Sequence, residues 1–168
     1  PDLLVGHRRP GPEHARLLDG PAEVGHVAPQ DIGVDQVVED VDEDEYCLEV
    51  YGCRPLEYFE RVGWGSDRSW VAHCVYPNAE EIDRLAAWGT GVAHCPSSNM
   101  MIGGGGIAPV VDYRAAGVPV GLGCDGSAST DCATLRLEPR GALLLGRQRG
   151  GPTSFTARDA LELETRSS

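Results

Sequence analysis

Positive charge is scarce in this sequence: 14 Lys and Arg stand against 26 Asp and Glu, a formal net charge of −12. Nucleic acid and anionic membrane surfaces both reward clustered cations, so neither is expected as a partner. No apolar run approaches the ~18 residues of a membrane span and no signal peptide is visible, which predicts a cytoplasmic protein. The six cysteines, Cys47, Cys53, Cys74, Cys95, Cys124 and Cys132, never take C-x-x-C spacing. Several close strand-like runs, so buried free thiols are expected rather than disulfides or a zinc knuckle. No G-x-S-x-G elbow surrounds Ser97, Ser98 or Ser127, which makes them loop hydrogen-bonders rather than nucleophiles. Gly103 to Gly106 has no Lys-Ser/Thr after it and no strand leading in. It reads as a flexible active-site loop, not a phosphate cradle.

The 168 residues suit one domain with a real core. They fall short of the ~250 that a closed βα-barrel takes. With Pro1 at one end and Ser168 just past a helix-like run, the chain reads as cut at both ends. Residues 1–33 are poorly patterned and rich in Pro, Gly, His and Arg, and are taken as an out-of-frame or chimeric segment. The histidines there, His7, His14 and His26, are spaced too widely for a motif and read as surface residues.

From Val34 the pattern sharpens. A strand is predicted over 34–38, a helix over 42–50 and another over 54–60, with Pro55 in its first turn. A strand at 69–72 precedes a helix that Asn78 caps through Asn78-Ala79-Glu80-Glu81 and that runs to Trp88. A third strand ends at His94, and a helix over 107–116 stops at Gly117. The run 118–124 is a strand of the kind buried on both faces. Residues 131–147 read as a helix that Pro139 kinks or breaks, and Thr156 to Asp159 cap a last helix ending near Thr165. Strand and helix therefore alternate about four times, the signature of a parallel sheet with right-handed crossovers. Four such units make half a barrel with two unpaired edges.

The polar residues gather where these strands end. Trp70-Val71-Ala72 closes in His73, Thr90-Gly91-Val92-Ala93 closes in His94, and Val118 to Cys124 closes in Asp125. In βα-barrels the strand C-termini open onto one shared mouth. An aspartate before Gly-Ser would by itself be an Asx-turn or a helix cap. Two imidazoles on neighbouring strand ends turn the reading towards metal-assisted hydrolysis, in which a metal lowers the pKa of bound water to ~7.

Three motifs occur in order: Trp70-Val71-Ala72-His73, His94-Cys95-Pro96-Ser97-Ser98-Asn99-Met100, and Gly121-Leu122-Gly123-Cys124-Asp125-Gly126-Ser127-Ala128-Ser129. Together they resemble the amidohydrolase superfamily, and within it the purine and triazine aminohydrolases. The likeness runs from Glu39 to Thr165, about three quarters of the chain. It implies the C-terminal half of a metal-dependent-hydrolase (β/α)8 barrel, strands five to eight, over residues 34–168. The implied reaction is hydrolytic deamination of a purine-type heterocycle such as 8-oxoguanine, with one divalent metal, zinc or iron, as cofactor. A chlorohydrolase or guanine-type deaminase is the alternative within the superfamily. By position Asp125 would be the eighth-strand metal ligand and proton acceptor. His73 would orient the hydrolytic water, and Glu39 would protonate the ring nitrogen. His94, Ser97 and Asn99 would line the substrate pocket. The first-strand His-x-His is absent, and Gln36 stands where the fifth-strand histidine belongs. Of the expected ligands only Asp125 remains, which predicts a truncated, inactive fragment. A non-catalytic half-barrel that associates with a copy of itself or with a complementary half is the competing class.

Overall fold

A computed structural model describes residues 32–131 and 134–165, with side chains from Val38 onward. The expectations for residues 1–31 and for Cys132, and the side chain of Gln36, lie outside the described residues. In chain order the elements are strand β1 (Ile32–Val37), helices α1 (Val41–Tyr51) and α2 (Pro55–Arg61), strand β2 (Ser69–His73), helix α3 (Ala79–Trp88) and strand β3 (Gly91–His94). Helices α4 (Pro96–Ile102) and α5 (Val110–Ala116), strand β4 (Val120–Leu122) and helix α6 (Ser127–Thr130) follow. After a 3₁₀ turn at Leu135–Leu137 come α7 (Glu138–Gly150) and α8 (Ala157–Thr165).

The four strands lie in the order β1-β2-β3-β4 and pair in parallel throughout. That is the alternating α/β arrangement the sequence predicts. Val71 pairs with Val34 and Val92, and Val92 with Val120, in one row across the sheet. Val71, Val92 and Val120 are buried and share a core with Phe59, Leu85, Tyr113, Phe155 and Leu163. The other face carries Trp70, Ala72, Gly91, Ala93, Gly121 and Gly123. These residues, with Cys95 and Asp125, line an open cavity of about 460 Å³. Trp70 is 41% exposed there.

The helix ends follow local chemistry. Asn78 accepts the Glu81 amide at 2.9 Å while the Glu81 carboxylate accepts the Asn78 amide at 2.9 Å, the predicted capping box. Thr156 and Asp159 close the same reciprocal pair ahead of α8. Gly117 ends α5 at φ 84°, where a side chain would be strained. Five cysteines, Cys47, Cys53, Cys74, Cys95 and Cys124, are free thiols, and all but Cys124 are buried.

Three departures from the sequence expectation have a clear local cause. Pro139 sits in the first turn of α7, where its missing N–H costs nothing, so it starts the helix instead of kinking it. The last strand is three residues long, not seven, because regular pairing spans only Val120 to Leu122. Ser97 and Ser98, expected as loop hydrogen-bonders, lie in helix α4, Pro96 to Ile102, with Pro96 at its start and Gly103 as its left-handed end. The glycine run beyond is held in place: the Tyr76 hydroxyl donates to the Gly104 carbonyl, and a Cβ on Gly106 would meet Val75 at 2.5 Å.

Candidate active site at the strand ends

Three of the four strands end in backbone that L-residues avoid. Val38 after β1 has φ 60°, His73 and Cys74 at the end of β2 have 64° and 45°, and Asp125 after β4 has 55°. Each such residue costs ~1–2 kcal/mol, and strain of this kind gathers at functional sites. Hydrogen bonds fix it here. The Cys74 amide donates to the Ala72 carbonyl at 2.8 Å, and the Val75 and Tyr76 amides donate to the Val38 carbonyl at 2.7 and 3.0 Å.

These turns bring His73 and two carboxylates together. His73 is 1% exposed; its Nδ1 lies 3.3 Å from Glu39 Oε1 and its Nε2 lies 3.9 Å from Asp125 Oδ2. Asp125 Oδ2 also accepts the Ser98 hydroxyl, from α4, and the Ser129 hydroxyl at 2.8 Å, from α6. Partial burial pushes the Asp125 pKa up, but Ser98, Ser129, the Gly126 amide and His73 outweigh it and hold the carboxyl below its ordinary value. Asp125 is therefore a carboxylate at neutral pH. The Glu39 amide donates to Glu43 at 2.9 Å, tying the start of α1 to the site. Burial pushes the Glu43 pKa up to about 7 against its backbone hydrogen bonds.

His94 ends β3 fully buried, and its Nδ1 has no hydrogen-bond partner among the described residues. Asn99 Oδ1, on α4, is likewise buried without a partner. A polar atom left in that state costs ~1–3 kcal/mol, which a ligand could recover. Ser97 uses its amide to donate to the buried Glu138 carboxylate at 3.0 Å. Ser129 and Glu138 were not singled out in the sequence. Ser129 lies four residues past Asp125, and only the turn into α6 gives that spacing meaning.

Desolvation, with the charge of His73 second, lowers the His94 pKa from 6.5 to about 4. The unfolded chain takes a proton at His94 below about pH 6.5, while the folded chain refuses it until about pH 4. His94 therefore removes stability as pH falls through that window. Urea melts of the native chain and His94→Asn should show the native chain losing ground to the variant steadily between those pH values. A constant difference would show that His94 titrates normally.

Residues 24–166 match the model of the amidohydrolase family. The chain belongs to the amidohydrolase family. Among its relatives is an 8-oxoguanine deaminase from Pseudomonas aeruginosa, 48% identical over 132 residues, which are 79% of this chain and 29% of that protein. A 5-methylthioadenosine/S-adenosylhomocysteine deaminase from Halobacterium salinarum is 43% identical over 124 residues, 73% of this chain and 28% of the relative. Among solved structures, an atrazine chlorohydrolase variant from Arthrobacter aurescens TC1, complexed with zinc and atraton, superposes with TM-score 0.78 at 32% identity. It covers 90% of this chain and 34% of its own. An adenosine deaminase from Xanthomonas campestris with bound zinc superposes with TM-score 0.75 at 30% identity, over 80% of this chain and 31% of its own. The chain thus spans less than a third of the length of the curated relatives it matches. Its fold is a partial barrel of the family.

The described residues do not fit the zinc that those two structures hold. Among the described residues no three His, Cys, Asp or Glu side chains are arranged to hold a metal ion. A catalytic zinc needs about three protein ligands. Asp125 can offer one, and both Ser98 and Ser129 already bind its Oδ2.

Proposed function

We propose that this chain carries strands five to eight of an aminohydrolase barrel as β1 to β4, and with them the proton-handling groups for hydrolytic deamination. The substrate is a purine-type heterocycle such as 8-oxoguanine: water adds at the ring carbon bearing the amino group, and ammonia leaves as the carbonyl forms. Asp125, held ionised, takes the proton from the attacking water and returns it to the amino group, which leaves as ammonia. The remaining hydroxyl proton of the intermediate replaces the one given to the ring nitrogen. His73 orients that water and donates towards the oxygen of the tetrahedral intermediate. Glu39 delivers a proton to the ring nitrogen. His94 and Asn99, each with a buried polar atom unpaired, bind the heterocycle's edge, with Ser97 beside them. The observation that carries this reading is the buried imidazole of His73 set between two carboxylates, its Nδ1 3.3 Å from Glu39 Oε1 without a hydrogen bond among the described residues and its Nε2 3.9 Å from Asp125 Oδ2.

Asp125 would supply one metal ligand, and the described residues offer no set to complete the site. The chain spans less than a third of the length of its curated relatives and is expected to be inactive alone. A graft tests this: residues 39–165 replace the matching segment of the Pseudomonas aeruginosa 8-oxoguanine deaminase, and ammonia release is followed with 8-oxoguanine as substrate. The expected result is turnover by the graft and none by the chain alone. A folded graft without turnover on 8-oxoguanine, guanine, adenosine or a chlorotriazine would sink the reading. Turnover of a chlorotriazine only would move the chain to the chlorohydrolases, which the similarity to the atrazine enzyme favours as the second choice.

A further inference from the structure

The turn that carries His73 is tied to a helix distant in sequence. The Cys74 amide bonding back to the Ala72 carbonyl makes His73, at φ 64°, the centre of a γ-turn of the rare positive-φ form. Cys74 follows at φ 45°. The Cys74 carbonyl is met by the hydroxyl of Tyr113, which comes from α5 and is fully buried. On the far side of the turn the Val75 and Tyr76 amides are taken by the Val38 carbonyl. The turn is thus gripped from β1 through backbone and from α5 through one side chain.

We propose that Tyr113 is a positioning residue for His73: its hydroxyl, donated to the Cys74 carbonyl, holds two consecutive left-handed residues in place. The imidazole is thereby kept between Glu39 and Asp125. Without the latch, the turn relaxes towards negative φ, where L-residues are unstrained. The ring at the end of β2 then swings out of reach of one or both carboxylates. Tyr113 touches neither substrate nor a reacting atom in this role; it acts through the backbone. The role rests on the proposed function, in which His73 handles the proton. The geometry of the latch can nevertheless be tested without turnover.

The test is ring-nitrogen NMR of the full ¹⁵N-labelled chain at one fixed pH, comparing the native protein with Tyr113→Phe. The latch predicts that the His73 ring signals shift and broaden while those of His94, on the neighbouring strand, hold their positions. Adding Cys74→Gly to Tyr113→Phe should restore the His73 signals, because glycine takes positive φ without help. Cys74→Ala, which removes the same thiol but keeps a Cβ, should not restore them. Unchanged His73 signals in Tyr113→Phe would overturn the proposal. So would equal shifts at His73 and His94, the mark of a general loss of packing. If Tyr113→Phe alone does not fold, the double variant decides: a folded protein with native His73 signals supports the latch, and an unfolded one refutes it. Failure of the proposed function looks different. In that case Tyr113→Phe still moves the His73 ring, but His73→Asn in the grafted enzyme leaves turnover intact.

Discussion

In the grafted deaminase, His73→Asn and Asp125→Asn should each lower kcat by ~10²–10⁴-fold, the range general acid–base groups contribute. KM should change little, because neither residue is assigned to the resting substrate. Asparagine is the informative replacement at both positions. It tolerates positive φ better than other residues with a Cβ, so the turns at φ 64° and 55° survive. At 125 its carbonyl oxygen still accepts from Ser98 and Ser129, so what disappears is the charge, on which both the proton-acceptor and the metal-ligand roles proposed for Asp125 depend. At 73 it removes the imidazole that spans Glu39 and Asp125. Ser98→Ala should cost less, since Ser129 and the Gly126 amide continue to favour the ionised Asp125. Steady-state kinetics on the three variants separates the cases. Equal, small losses in all three would mean that the strand ends shape the pocket without moving protons.

Arg54→Ala should have the largest effect on stability. The guanidinium donates to both Glu81 oxygens, at 2.9 and 3.0 Å, and to the Tyr76 carbonyl at 3.0 Å; it also pairs with Asp44. One side chain therefore joins α1, α3 and the loop that leaves His73. Glu81 is 4% exposed, so removing Arg54 leaves a buried carboxylate with the Asn78 amide but no countercharge, a loss worth ~3–5 kcal/mol when both partners of a pair are fully buried. The Arg54 side chain is 27% exposed. Water then reaches Glu81 in the variant, and about 2–3 kcal/mol is the better expectation. That corresponds to a Tm lower by roughly 10 °C. Arg54→Lys keeps the charge but not the fork, and should fall between the two. Urea melts with an unchanged slope should give the same order. An Arg54→Ala midpoint equal to that of the native chain would mean the network contributes nothing net.

Much of this site was legible in the sequence because its signals are local. Apolar runs ending in His73, His94 and Asp125 mark strand termini, and the structure sets all three there or one turn beyond. The Asn78–Glu81 and Thr156–Asp159 caps were readable because a capping box is a three-residue spacing. Helix α4 is hidden in the sequence because Pro96, Ser97, Ser98 and Asn99 are all turn formers. The Pro-first, Gly-last pattern of Pro96 and Gly103 was the signal that outweighed them. Pro139 misleads for the converse reason: where a helix starts decides whether proline is harmless, and Leu135–Leu137 forms the 3₁₀ turn just before it. The bonds of Ser98 to Asp125, Tyr113 to Cys74 and Arg54 to Glu81 join residues 27 to 39 positions apart. No periodicity carries such contacts; they exist only once the sheet has formed.

The described residues are proposed to hold the proton-handling groups of an amidohydrolase without a metal-holding set of their own. Metal analysis of the purified chain, with thermal melts in zinc and in chelator, tests it most directly. The expected result is well under one metal per chain and a midpoint that neither zinc nor chelator moves. One tightly held metal per chain, with a midpoint that drops on chelation, would contradict it and would make His73, His94 and Asp125 the first ligands to mutate.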